Sequence, residues 1–213
     1  MLHSVPPEPT RRERKRIQKM TAFLDLAMAI VEEEGLEGLT MPKLADRADV
    51  AVGGLYRYFS SKTALQCGLQ VRAAQTFVAF LEPVSERLAH ASPLDRVRAY
   101  ALSWADFAKA EPIKHQMLDA GLSSPEVQFP ESEFFSMEKA LRPALERVAQ
   151  GLKDAENEGL LVPGDVWKRT YAIWAAMHGV GHFTKRDRFL PESLHSNEIR
   201  VTLINSLFRG WSD

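Results

Sequence analysis

Between Leu39 and Lys62 the chain reads LTMPKLADRADVAVGGLYRYFSSK. The side chains in this run suit contact with a phosphate backbone. The hydroxyls of Thr40, Tyr56 and Tyr58 can donate to phosphate oxygens. The Lys62 ammonium falls at a predicted helix start, where free backbone N–H groups add to its pull on an anion. Arg57 carries a guanidinium able to pair bidentately with guanine, and Lys43 is a second candidate for a base edge. Ala51 and Val52 can make only apolar contact, best with thymine methyls. Gly53 and Gly54 offer no side chain at all. A glycine inside a helix costs about 1 kcal/mol relative to alanine, so an adjacent pair needs a reason. A frayed helix start or a tight helix crossing is one. A main chain that closely approaches another molecule, such as DNA, is the other.

Such groups need short rigid elements to hold them. Leu44, Ala45 and Ala48 give one apolar face to a first helix. Val52, Leu55 and Phe59 repeat at i, i+3 and i+7 and predict a second. Asp49-Val50-Ala51 between them matches the three-to-four-residue turn of a helix-turn-helix. Thr40 can cap the first helix, Pro42 suits its first turn, and Ser60 or Ser61 can cap a third.

This run resembles the DNA-binding domain of TetR-like transcriptional regulators. That family's pattern here is a glycine, then Leu-Tyr-x-Tyr-Phe, then a lysine opening the next helix, and Gly53, Leu55, Tyr56, Tyr58, Phe59 and Lys62 fit it. The resemblance covers about the first third of the chain. It implies that Thr40, Tyr56, Tyr58 and Lys62 grip the DNA backbone and that residues 51–54 with 56–57 lie near base edges. Three positions depart from the pattern. Asp49 stands at the usual turn glycine, Ala51 at the usual capping serine, and Val52 at the usual polar residue after it.

Net charge over 213 residues is −1, so bulk charge does not advertise a nucleic-acid partner. Its distribution does. Arg11, Arg12, Arg14, Lys15, Arg16 and Lys19 stand against Glu13 alone, so residues 11–19 carry +5 and the rest must carry −6. One basic end on a mildly acidic body suits a protein that touches phosphates at that end. Alone, the run would read as a solvated arm. Cys67 is the only cysteine, which excludes an intramolecular disulfide and fits a small buried hydrophobe in a reducing compartment. No run approaches the roughly 18 apolar residues of a membrane span, and the basic N-terminus lacks the apolar core of a signal peptide. A cytoplasmic protein is expected.

The predicted fold is all-α, with no convincing strand and no internal repeat. Residues 1–9 are a proline-rich disordered arm. Residues 10–61 form a three-helix helix-turn-helix domain, and 62–213 a helical domain for ligand binding and dimerisation. The first helix spans Thr10 to Glu34 on the stripe Ile17, Met20, Leu24, Ala27, Met28 and Val31, and Gly35 and Gly38 end it. A long helix from Lys62 to about Ala89 is bent or broken at Pro83. Further helices are expected from Ser92-Pro93 to Ala110, around Ile113 to Leu118, and from Ser132 to Asn157 with a kink at Pro143. Two more span Asp165 to Thr184 and Ser193 to Arg209. Ser123 to Pro130 reads as loop.

In the second domain Phe77, Phe80, Trp104, Phe107, Met117, Met137, Trp174 and His178 can line one cavity, or simply make core. The resemblance favours the cavity, because such regulators sense small molecules between these helices. An apolar effector with one polar group facing His178 is expected. The small residues Ala172, Ala175, Ala176 and Gly179, with Leu203 and Leu207, allow close helix approach. The resemblance implies a homodimer through the last two helices, reading a palindromic operator in double-stranded DNA. His178 and His182 share a helix face but lack the glutamate and third ligand of a zinc site, so neither metal nor cofactor is implied. An enzyme using Glu111, Asp106 or Asp119, or a helical adaptor, is the alternative, and no nucleophile elbow or phosphate loop supports the enzyme.

Overall fold

The computed structural model of the chain describes residues 10–123 and 131–212. Every regular element among them is helical. The expected arm at 1–9 and most of the expected loop before Glu131 lie outside the described residues. The chain divides into two compact units, the first ending at Gln70 and the second beginning at Val71. The division therefore falls inside a helix rather than at its first residue. No helix among the described residues is long and apolar enough to cross a membrane.

In the first unit α1 runs Arg11–Gly38, α2 Met41–Arg47 and α3 Val52–Tyr56, and α4 opens at Lys62. Thr10 and Glu13 close a reciprocal capping box at the start of α1. The regular run of α1 breaks at Gly35, whose φ of 76° is left-handed backbone that only glycine adopts cheaply. Thr40 caps α2 by accepting from Lys43 N at 3.3 Å, and Ser61 caps α4 by accepting from Ala64 N at 3.0 Å. Asp49 makes the expected turn at φ 51°, a conformation in which a short polar side chain can stand in for glycine.

Two face assignments change. The buried stripe of α1 is Phe23, Ala27, Met28, Ile30 and Val31. Ile17 is exposed because the first two turns of α1 have nothing packed over them. Val52 is also exposed. It stands at the first position of a five-residue helix that Leu55 and Phe59 pin from the other side.

In the second unit α4 ends at Phe80, well short of Ala89, and Pro83 falls in the first turn of α5, Glu82–Arg87. Proline has no N–H to give and suits a helix start, so the break precedes it. Helix α6 (Pro93–Ala110) is capped by Ser92 and packs against α7 (Pro112–Ser123), α8 (Glu131–Asn157), α9 (Val166–Gly181) and α10 (Ser196–Trp211). Pro143 lies inside α8. Helix α9 stops at Gly181, and short 3₁₀ turns at Thr184–Phe189 and Glu192–Leu194 occupy what was expected to be helix ends and loop. Asp187 in the first turn accepts from Ser196 N and Oγ at 2.9 and 2.6 Å, so α10 starts at Ser196 rather than Ser193. Arg169 donates to Glu156 and the Val162 carbonyl, which ties the α8–α9 connector to the start of α9.

Gly151 marks a close approach of α8 to α6. A Cβ there would lie 2.6 Å from Val97 Cγ2 and 3.4 Å from the Pro93 carbonyl oxygen. Gly151→Ala should therefore lower stability by about 1–3 kcal/mol through overpacking, against the roughly 1 kcal/mol that helix propensity alone would add. Urea unfolding checks the sign.

Candidate nucleic-acid interface and effector cavity

The first unit turns the expected contact groups outward. Leu55 and Phe59 are fully or nearly buried, while Ala51, Val52, Gly53, Tyr56 and Arg57 face solvent. A Cβ built on Gly53 meets nothing within 4 Å, and one on Gly54 meets only Val50 Cβ at an ordinary 3.8 Å. Packing within the chain therefore does not require either glycine, which removes a tight helix crossing as their explanation. The ring of Phe23 on α1 makes edge contacts with Tyr58 at 5.2 Å and Phe59 at 6.4 Å. These rings set the position of the segment after α3.

The remaining groups differ in how free they are. Thr40 Oγ1 accepts from the backbone, and its hydroxyl proton remains available to an outside acceptor. Lys43 is engaged by Glu34, and Arg47 pairs with Glu33 at 2.5 Å, so Lys43 must leave its carboxylate to reach a base. Such exposed, solvent-screened pairs hold these side chains only weakly. Arg57 has no hydrogen bond or ion pair among the described residues. It lines an open groove with Tyr58 and with Thr10, Arg12, Glu13, Lys15, Arg16 and Lys19 of α1. The acid in that groove, Glu13, is tied to Thr10. Sequence spacing showed a basic run and a lone arginine. Only the folded chain shows that they share one groove.

Among the described residues the second unit has a partly enclosed cavity of about 30 Å³. That accommodates a water rather than a ligand, since drug-sized ligands occupy pockets of about 300–1,000 Å³. Of the eight residues expected to line it, Phe77, Trp104, Trp174 and His178 do. Phe80, Phe107, Met117 and Met137 do not. Phe107 and Met137 are buried in the neighbouring core cluster with Phe80 packed on it, and Met117 is also buried. Apolar helical spacing cannot distinguish core from cavity wall.

Trp104 lies at the meeting point of the aromatic wall. It is 3% exposed, and its ring lies 4.4 Å from His178, 4.5 Å from His115, 5.2 Å from Phe77 and 5.4 Å from Trp174, centroid to centroid. His178 Nδ1–H donates to the Trp174 carbonyl at 3.1 Å. Burial pushes the His178 imidazole below its ordinary pKa, with Asp119 opposing and His115 and His182 adding to the shift. Burial also lowers His115, with Asp119 opposing and Arg200 adding. His115 was not singled out in the sequence, where a lone histidine on a short helix carries no signal.

Ala172, Ala175 and Gly179 are exposed on α9 beside Tyr171 and Phe183, which are 45% and 47% exposed. Ala176, Leu203 and Leu207 are half-buried against the chain's own inner cluster.

The family model described as "Bacterial regulatory proteins, tetR family" matches residues 23–66, a stretch that holds α2, α3 and the contact groups around them. The chain carries a TetR-family DNA-binding domain. Over 58 residues it is 53% identical to the HTH-type transcriptional repressor KstR of Mycobacterium tuberculosis, covering 27% of this chain and 24% of that protein. The chain thus matches about a quarter of the length of the curated relatives. Solved structures agree with the TetR fold along most of the chain. A putative tetR family transcription regulator from Shewanella sp. PV-4 superposes with TM-score 0.65 at 18% identity, covering 92% of this chain and 98% of that one. The structure of AibR in complex with isovaleryl coenzyme A and operator DNA superposes with TM-score 0.59 at 19% identity, covering 89% and 98%.

Two outcomes follow from this geometry. Gly53→Ala should leave stability unchanged or raise it by up to about 1 kcal/mol, yet weaken DNA binding. Arg57→Ala should weaken binding and relax base preference at one position per half-site, whereas equal losses on cognate and random DNA would refute base reading. Gel shifts paired with thermal melts separate these effects. The half-buried His115 and His178 set a pH dependence. Their folded pKa values lie below the unfolded value of about 6.5, so the unfolded chain binds more protons in acid. Unfolding free energy should be flat in these groups above about pH 6.5 and fall as pH drops below it. Replacing His115 and His178 together by Phe should flatten the acid limb in urea titrations from pH 8 to 5.

Proposed function

We propose that this protein is a DNA-binding transcriptional regulator, acting as a repressor. It binds a palindromic operator as a homodimer and is released by a small, largely apolar ligand in the second unit. The observation that carries this is the outward-facing glycine pair, free of any packing role in its own chain and flanked by Tyr56, Arg57, Tyr58 and Lys62. The match of residues 23–66 to the tetR family model, and the 53% identity to a repressor over 58 residues, support it. In this reading Thr40, Tyr56, Tyr58 and Lys62 position the DNA backbone. Arg57 reads a guanine, Ala51 and Val52 touch thymine methyls, and Gly53 and Gly54 let the main chain enter the major groove. Lys43 joins them once released by Glu34. The α1 cations beside Arg57 add phosphate contacts.

One short helix discriminates little, so two copies read half-sites one helical turn or a multiple apart. The exposed face of α9 at Ala172, Ala175 and Gly179, with Ala176, Leu203 and Leu207 along its border, is the proposed dimer contact. Residues 62–213 serve as the effector and dimerisation domain, and the protein works in the cytoplasm. The effector enters at Phe77, Trp104, Trp174 and His178, with Phe80, Phe107, Met117 and Met137 repacking around it. It must bind the DNA-released conformation more tightly than the DNA-bound one, or it shifts nothing.

A gel shift on the DNA upstream of the protein's own coding region tests this. Affinity should fall by about 10³-fold or more between 50 and 200 mM salt and should favour a palindrome. Salt-insensitive binding, or no preference for any site, would end this reading. Ala175→Arg should yield monomers in sedimentation and abolish palindrome binding while leaving the fold intact.

A further inference from the structure

The partly enclosed cavity in the second unit has apolar walls, including Phe77, Leu81, Ile173 and Met177. Four polar side chains also reach it. Two are satisfied within the chain: Tyr100 Oη donates to Ser85 Oγ at 3.2 Å, and Thr170 Oγ1 donates to the Val166 carbonyl at 2.9 Å. The other two are Trp104 and His178. Trp104 Nε1 and His178 Nε2 are both buried and have no hydrogen-bond partner among the described residues. Their roles are complementary. An indole N–H can only donate. His178 commits its Nδ1 proton to the Trp174 carbonyl, so Nε2 of the neutral ring carries a lone pair and can only accept. The two rings are 4.4 Å apart, close enough for one small group to meet both.

We propose that this pair recognises a hydroxyl, whose oxygen accepts the Trp104 Nε1 proton and whose own proton goes to His178 Nε2, at the head of an otherwise apolar effector. This rests on the effector-release reading above and names the chemical class of the effector. A ketone or ester oxygen can take the Trp104 proton but has nothing to give His178. A carboxylate can meet both atoms only after it or His178 takes up a proton, and at neutral pH that proton uptake or the burial of the charge carries a cost that an alcohol avoids. An alcohol satisfies both atoms, and a site that buries such groups rejects analogues that leave them unpaired. An effector body larger than a water is housed by repacking of the apolar wall, with Trp104 and His178 held in place for its hydroxyl.

The test uses the full chain and three probes of one length: octan-1-ol, octan-2-one and octanoic acid, followed by calorimetric titration and thermal shift. Octan-1-ol should bind at least about tenfold more tightly than either of the others, the factor one net hydrogen bond supplies. The preference should collapse in Trp104→Phe and in His178→Phe, and survive in His178→Gln, whose amide oxygen can still accept. Melting curves confirm that each variant is folded. Equal binding of the three probes, preference for the acid, no binding of any probe, or a single ordered water that no probe displaces would overturn the assignment. A gel shift with octan-1-ol keeps the two readings apart. Selective binding that leaves the DNA complex intact supports the hydroxyl site and sinks release by it.

Discussion

The geometry of the helix-turn-helix depends on one packing interaction, that of the Phe23 ring with Tyr58 and Phe59. Helix α3 has five residues, two of them glycine, and its first position is preceded by an alanine that cannot cap it. Helix nucleation is unfavourable, and isolated segments below about 12 residues are marginal in water even with good sequences. Helix α3 therefore exists because Leu55 and Phe59 are buried against the rest of the unit. The edge contacts of Phe23 fix where Tyr58 and Phe59 lie. A helix held from behind in this way can leave its front bare. That permits a face with almost no side chain, where a main chain can approach a partner closely.

The second unit shows the opposite economy. Its aromatic residues converge on Trp104, whose ring has neighbours on several sides and leaves a space of only about 30 Å³. Close packing stabilises this arrangement, yet two polar atoms inside it have no partner among the described residues. Each such atom costs about 1–3 kcal/mol. The same helices also bring α8 and α6 into contact at a glycine, where a single methyl group would collide with Val97. The unit is tight in one place and under-satisfied in another.

The glycines show how far local sequence reasoning reaches. Gly35 was legible as a helix terminator, because a left-handed backbone after an apolar stripe has a known signature. Gly53 and Gly54 could have served a tight helix crossing until the space around them showed that packing among the described residues requires neither. Gly151 gave no signal, since its reason lies on another helix. Among apolar residues the same limit holds. Ile17 and Val52 share the spacing of true core residues but have nothing to pack against. Phe107 and Met137 share the composition of a cavity wall but pack within the core.

Residue type and spacing by themselves determined that the chain is helical, where most helices begin and end, and that residues 39–62 form a helix-turn-helix with a TetR-like pattern. Caps, prolines and apolar periods act within a few residues, so they can be read along the chain. Only the tertiary structure decided which member of each apolar stripe is buried. It also decided that the basic turns of α1 share a groove with Arg57, and that Trp104 and His178 present a paired donor and acceptor. Those properties arise from elements far apart in sequence, and no local spacing encodes what a side chain meets after folding.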